Sequence, residues 1–223
     1  MISEKSSAKN AAENASMNKS SAEIKEHIKE FQRQLEETRK ISPKDLSVQI
    51  QKIGFRCLLC GDCCTGDENS VVIFPFEIRR MLCITGAAWH DVAESPAVGE
   101  WDKDGDFHTL EWRLKKVQGA CKFYSSEGCR IYEARPLLCS TYPFYLDDGV
   151  LRCSECRGLG VRIESTEAEK LAQKLIERSI AEISEAISLL NVYSDFERGQ
   201  PKKGGACIVH DSEGEHRISS GST

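Results

Sequence analysis

Four cysteines stand within eight residues, at Cys57, Cys60, Cys63 and Cys64, and five more follow at Cys121, Cys129, Cys139, Cys153 and Cys156. Thiolates hold zinc and iron tightly, and a two-residue spacer leaves room for a turn that aims two sulfurs at one ion or cluster. Adjacent Cys63 and Cys64 leave an extended chain on opposite faces, so either the chain bends sharply there or the pair serves two different sites. The chemistry expected of these residues is metal chelation.

A disulfide framework is the competing use of eleven cysteines. Against it stand the odd count, the vicinal pair and a start, Met1-Ile2-Ser3-Glu4-Lys5-Ser6-Ser7, without an apolar signal region. A reducing cytosol is therefore expected, where such cysteines more often bind metal. No apolar run approaches the roughly 18 residues of a membrane span, so no membrane association is expected. The net charge of −5 argues against nucleic acid as a partner. Residues 107–162 nevertheless hold nine Lys and Arg against six Asp and Glu, an excess read as solvated surface that could also offset thiolate charge.

Three motifs in order carry a resemblance. They are Phe55-Arg56-Cys57-x2-Cys60-Gly61-x-Cys63-Cys64, Gly119-x-Cys121-x-Phe123, and Gly128-Cys129-x-Ile131-Tyr132-x2-Arg135-Pro136-x2-Cys139-x2-Tyr142-Pro143-Phe144. Together they resemble the YkgJ-type cysteine-cluster family of zinc- or iron-chelating proteins, over roughly residues 53–160. The resemblance implies metal chelation and says little about activity. Related sequences usually show one cysteine before the glycine near residue 158, so Cys156 matches the pattern and Cys153 departs from it. The expected ligands are Cys57, Cys60, Cys63, Cys64, Cys121, Cys129, Cys139 and Cys156, with Cys153 in reserve, and the expected cofactor is an iron–sulfur cluster or zinc. Some proteins with a similar cluster are linked to lysine methylation of flagellin, which implies a cluster-dependent protein-modifying enzyme as one alternative; a zinc-stapled protein-interaction module whose helical ends bind a partner is the other.

The elements that must position these thiols form an α+β chain. A small cysteine-rich metal-binding core of short strands and hairpins is flanked by N- and C-terminal amphipathic helices. Residues 1–19 lack large apolar side chains and are expected to be a disordered tail. Residues 20–52 hold two helices. Ser20 and Glu23 form a capping box for the first, whose stripe is Ile24, Ile28, Phe31 and Leu35. Ser42 caps the second, Pro43 opens it and Gly54 stops it just before Cys57.

Within the cysteine domain, 53–162, Val71–Phe74 reads as a strand and Pro75 opens a helix on which Cys83 is small, buried and inert. Trp89–Glu94 reads as a short helix. Residues 108–115 alternate as one half-buried strand, with His108 a core histidine. Cys121–Tyr132 reads as one hairpin, Arg135-Pro136 as a bend before Cys139, Tyr142–Tyr145 as an aromatic wall and Val150–Cys153 as a strand.

Residues 163–198 hold the longest helix, capped at Thr166, with a seam of Ile176, Ile180, Ile183, Ile187 and Leu190 that packs on the first helix or on a second protomer. The helical ends are thus where a protein partner or self-association is expected, and neither carries a cluster motif, so both are expected to be separable from the chelating core. Residues 199–223 read as a flexible tail in which the Cys207–His210 spacing is incidental. No phosphate loop, nucleophile elbow or His-Glu-x2-His occurs, so the familiar nucleotide and hydrolase signatures are missing.

Overall fold

In a computed structural model the described residues are 21–66, 69–192 and 197–218. The expected tail 1–19, the Ser20 cap and the last five residues lie outside them. Helix α1 is Ser21–Thr38 and α2 is Pro43–Ile53. The Asp45 amide donates to the Ser42 hydroxyl at 3.2 Å, and Gly54 ends α2 at a φ of 74°. That positive φ suits a residue without a Cβ and turns the chain directly into the cysteine loop.

After that loop come β1 (Val72–Ile73), α3 (Pro75–Thr85), α4 (Trp89–Val92), β2 (Ala93–Glu94), β3 (Glu100–Trp101), β4 (Phe107–Leu110) and β5 (Trp112–Leu114). The single strand expected over 108–115 is broken at Glu111, which takes a φ of 63°. The break sends β4 and β5 into different sheets: β5 lies between β1 and β2, and β4 lies beside β3. Thr109 and Glu111, expected on the wet face, are buried as a result. Cys83 is also corrected, since it is exposed on α3.

The single hairpin expected over 121–132 is instead two ribbons, each with strands of two residues. Strand β6 (Lys116–Val117) pairs with β7 (Ala120–Cys121), and β8 (Tyr124–Ser125) pairs with β9 (Gly128–Cys129). A 3₁₀ turn at Tyr132–Ala134 and the short helix α5, Leu137–Thr141, follow. Strands β10 (Phe144–Asp147) and β11 (Val150–Cys153) close the domain as an antiparallel pair.

Helix α6, Ser165–Val192, begins one residue before the expected cap, so Thr166 lies inside it. Its seam packs on α1 within the chain, where Ile24, Phe31, Ile183 and Leu190 form one core. The stripe that a partner would have used is covered by the chain itself. A second face of α6 was not anticipated: Leu171 and Leu175 pack with Leu46, Ile50, Phe144 and Leu146. On that face Arg178 is buried, donating to Glu182 at 2.8 Å, to the Thr141 hydroxyl at 3.1 Å and to the Phe144 carbonyl at 3.3 Å. Thr141 ends α5, the helix that carries Cys139, so this bond ties α6 to the cysteine core.

The expected flexible tail is corrected as well. Strands β12 (Cys207–Asp211) and β13 (Gly214–Ile218) complete a sheet of order β13-β12-β4-β3, with β12 parallel to β4. His108 and His210 meet there at 2.7 Å between ring nitrogens, and His108 also contacts Asp102 at 3.1 Å. His108 is thus a satisfied core histidine, as expected. Burial, aided by His108, pushes the His210 imidazole down to about 4. No described helix is long and apolar enough to cross a membrane.

Candidate metal centre

The cysteine loop, residues 55–66, has almost no regular structure of its own and is held by stitches to its neighbours. At its front end Phe55 bridges Leu159, and the Arg56 amide donates to the Gly158 carbonyl at 2.9 Å. Gly158 comes so close to the Arg56 carbonyl that a Cβ there would collide with it. Asp62 adds an ion pair to Arg157 at 2.8 Å. These contacts set Cys57 and Cys60 beside Cys156.

At its back end the loop turns. The Cys64 amide donates to the Gly61 carbonyl at 2.7 Å, and Gly61 has a φ of 80° with the Tyr124 ring where a Cβ would stand. The Cys121 amide donates to the Cys64 carbonyl at 2.7 Å, and Thr65 bridges Ala120. Cys64 is therefore set beside the β6–β7 ribbon that carries Cys121. Cys121, Cys129 and Cys139 all pack against the apolar core of Ile73, Ile78, Met81, Trp112, Leu114, Phe123 and Ile131.

Glu77 fixes Cys139 from below. Its buried carboxylate accepts the Phe74 amide at 3.0 Å and the Leu137 amide at 2.6 Å, so one side chain satisfies the first turns of both α3 and α5. Burial pushes its carboxyl up to about 6 despite these bonds. Nothing in the spacing of Glu77 pointed to this role, because its partner lies 60 residues away.

All eight expected ligands line one cavity of about 100 Å³: Cys57, Cys60, Cys63, Cys64, Cys121, Cys129, Cys139 and Cys156. Cys153 is exposed at the end of β11 and does not line it. The rest of the wall is mostly apolar or aromatic, with Leu58, Leu59, Val71, Leu114, Ile131, Tyr124, Tyr132 and Tyr142, and Asp62, Arg135, Glu155 and Arg157 add charged groups to it. Of the expected aromatic wall only Tyr142 faces the cavity, while Phe144 turns into the core and meets Phe55 edge-on at 5.7 Å. Leu58 and Leu59 are about half exposed, which marks the cavity's open side.

The thiols differ electrostatically with depth. Cys63 and Cys64 are 3.8 Å apart, in van der Waals contact, and the hydrogen bond between them lowers Cys63 to about 7 and raises Cys64. Burial raises Cys139 and Cys121, with further contributions from neighbouring thiolates, Cys63 and Cys129 among them. Cys156 is raised by burial and then by Cys60, Cys63 and Cys57. Arg135 is the nearby cation: it stacks 3.5 Å over the Tyr132 ring and favours the charged form of Cys63. Sequence reasoning did not assign Arg135, Tyr124 or Tyr132 to the site, since only folding brings them there.

An all-sulfur donor set within a dry wall fits zinc or iron and fits hard cations poorly. Among the described residues no three Cys, His, Asp or Glu side chains already converge as the ligands of one ion. Residues 56–157 match the model of the family CxxCxxCC, described as a "putative zinc- or iron-chelating domain". No curated protein and no solved structure matches the chain.

Proposed function

We propose, from the match of residues 56–157 to the model of the CxxCxxCC family, that the eight cavity cysteines are the metal ligands and that the native metal is iron in an iron–sulfur cluster. The observation that carries this reading is the convergence of all eight thiols, drawn from four separate segments, on one largely apolar cavity. Iron is favoured because a cluster with its own sulfides needs space among its ligands and gains from exclusion of water. Bound there, the cluster would supply one-electron chemistry, and the role that follows is electron transfer or redox assistance to another protein. Around it Arg135 offsets thiolate charge, Tyr124, Tyr132 and Tyr142 limit water, and Glu77 holds the helix bearing Cys139.

Zinc is the second reading, supported by arithmetic: eight thiolates satisfy two ions at four apiece. Protein purified without oxygen separates the two. Brown protein that bleaches on reduction and contains inorganic sulfide supports iron. Colourless protein carrying about two zinc ions per chain, the number the ligands allow, overturns the iron assignment, and protein without either metal overturns chelation itself.

A further inference from the structure

We propose that the cavity holds two metal centres, a front one on Cys57, Cys60, Cys63 and Cys156 and a back one on Cys64, Cys121, Cys129 and Cys139. This rests on the chelating role proposed above and adds the number of centres and the division of their ligands.

The division follows from how the cysteine loop is attached. Its two ends are stitched to different parts of the chain. The hydrogen bond from Arg56 to Gly158 and the Asp62–Arg157 ion pair tie Cys57 and Cys60 to the segment of Cys156. The hydrogen bond from Cys121 to Cys64 and the Thr65–Ala120 bridge tie the other end to the two ribbons. Cys121, Cys129 and Cys139 share one apolar core, to which neither Cys57, Cys60 nor Cys156 belongs. Three thiols are thus committed to the front and three to the back before the vicinal pair is assigned.

Four thiolates complete a site for either metal, so each group needs one more. The turn at Gly61 delivers one from each position of the pair. Cys64, whose carbonyl is bonded to Cys121, completes the back, and Cys63, beside Asp62 and Arg157, completes the front. Cysteines of one motif feeding separate centres have a precedent in two-cluster ferredoxins, where the fourth cysteine of the motif ligates the other cluster.

The two centres also differ in access. Cys60 is exposed while Cys139 lies against the core beneath α5, so the front metal is drawn off by a chelator first and the back metal stays with the fold.

The test uses the full chain, stripped of metal without oxygen and titrated with cobalt(II), whose thiolate absorption counts all-sulfur sites whichever metal is native. Wild-type protein is expected to saturate at about two equivalents, and Cys60→Ser and Cys156→Ser each at about one, a twofold fall. Cys153→Ser, outside the cavity, is expected to keep both. Saturation of the wild type at a single equivalent overturns the two-centre division and leaves chelation standing. Loss of all cobalt from Cys60→Ser and Cys156→Ser, with their circular dichroism unchanged, overturns it too. Wild-type protein with no thiolate–cobalt absorption overturns the chelating role beneath it.

Discussion

The helical side of this molecule and its cysteine side are held together by different means. Helices α1, α2 and α6 close on each other through continuous apolar stripes, with Ile50, Leu175 and Leu189 almost fully buried. Around the cavity the cysteine side is built from strands of two residues, a 3₁₀ turn, the short helix α5 and a loop, and its thiols face that cavity. Ribbons this short are marginal unless packed or cross-linked. The difference teaches that apolar burial holds the helices by itself, whereas on the cysteine side the core of Ile73, Ile78 and Trp112 supports one flank of the cavity and leaves the rest to what the thiols bind.

The largest expected effect comes from removing the metal. Structural zinc in small finger domains contributes on the order of 10 kcal/mol, because the site does not exist in the unfolded chain. A chelator should therefore lower the melting temperature sharply, while circular dichroism at 222 nm falls much less because α1, α2 and α6 keep their packing. Equal melting of stripped and loaded protein would erase the contrast between the halves.

Leu175→Ala, on the helical side, is expected to cost about 2–5 kcal/mol in urea unfolding, the usual range for a buried leucine. Its metal content should stay at the wild-type level. Metal lost along with stability would show that the two halves unfold as one.

Glu77→Gln tests the seam between them. The amide keeps the shape and an acceptor but loses the charge that favours two helix N-termini, a cost of about 1–2 kcal/mol. Because Glu77 holds Leu137, the variant should also release metal to a chelator faster than wild type. Unchanged release would limit Glu77 to stability alone.

The smallest effect concerns pH. Burial raises Glu111 to about 7, so the folded chain keeps this proton where the unfolded chain, near the usual 4.5, has lost it. Stability tied to Glu111 is fully present below about 4.5 and is lost as pH rises to about 7. Glu111→Gln should accordingly gain on wild type by roughly 1 kcal/mol between pH 6 and pH 7. A constant difference across that range would mean that Glu111 is ionised throughout.

Legibility from sequence divides along the same line. The helical side was readable because periodicity reports apolar faces, as at Ile24, Phe31, Ile183 and Leu190. It failed for the second face of α6, where Arg178, Glu182 and Glu185 are buried and polar letters concealed a packed surface. Cys57, Cys60, Cys63 and Cys64 were readable because their spacing is local, and Cys121, Cys129, Cys139 and Cys156 through the family resemblance. Their division was not, since it depends on backbone bonds from Arg56 to Gly158 and from Cys121 to Cys64 that no spacing encodes. Residues 207–218 read as a tail because their Gly and charged neighbours look unstructured until β4 supplies an edge to pair with.

That last pairing sets an order of events during synthesis. His108 and His210 are 102 positions apart, and parallel β4 and β12 cannot meet until nearly the whole described chain has been made. Every cavity cysteine leaves the ribosome before α6 and β12 do. Long-range parallel pairing is slow to form and leaves apolar edges uncovered in the meantime. The nascent chain thus leaves the β4 edge that β12 takes up open until the described part of the chain is nearly complete.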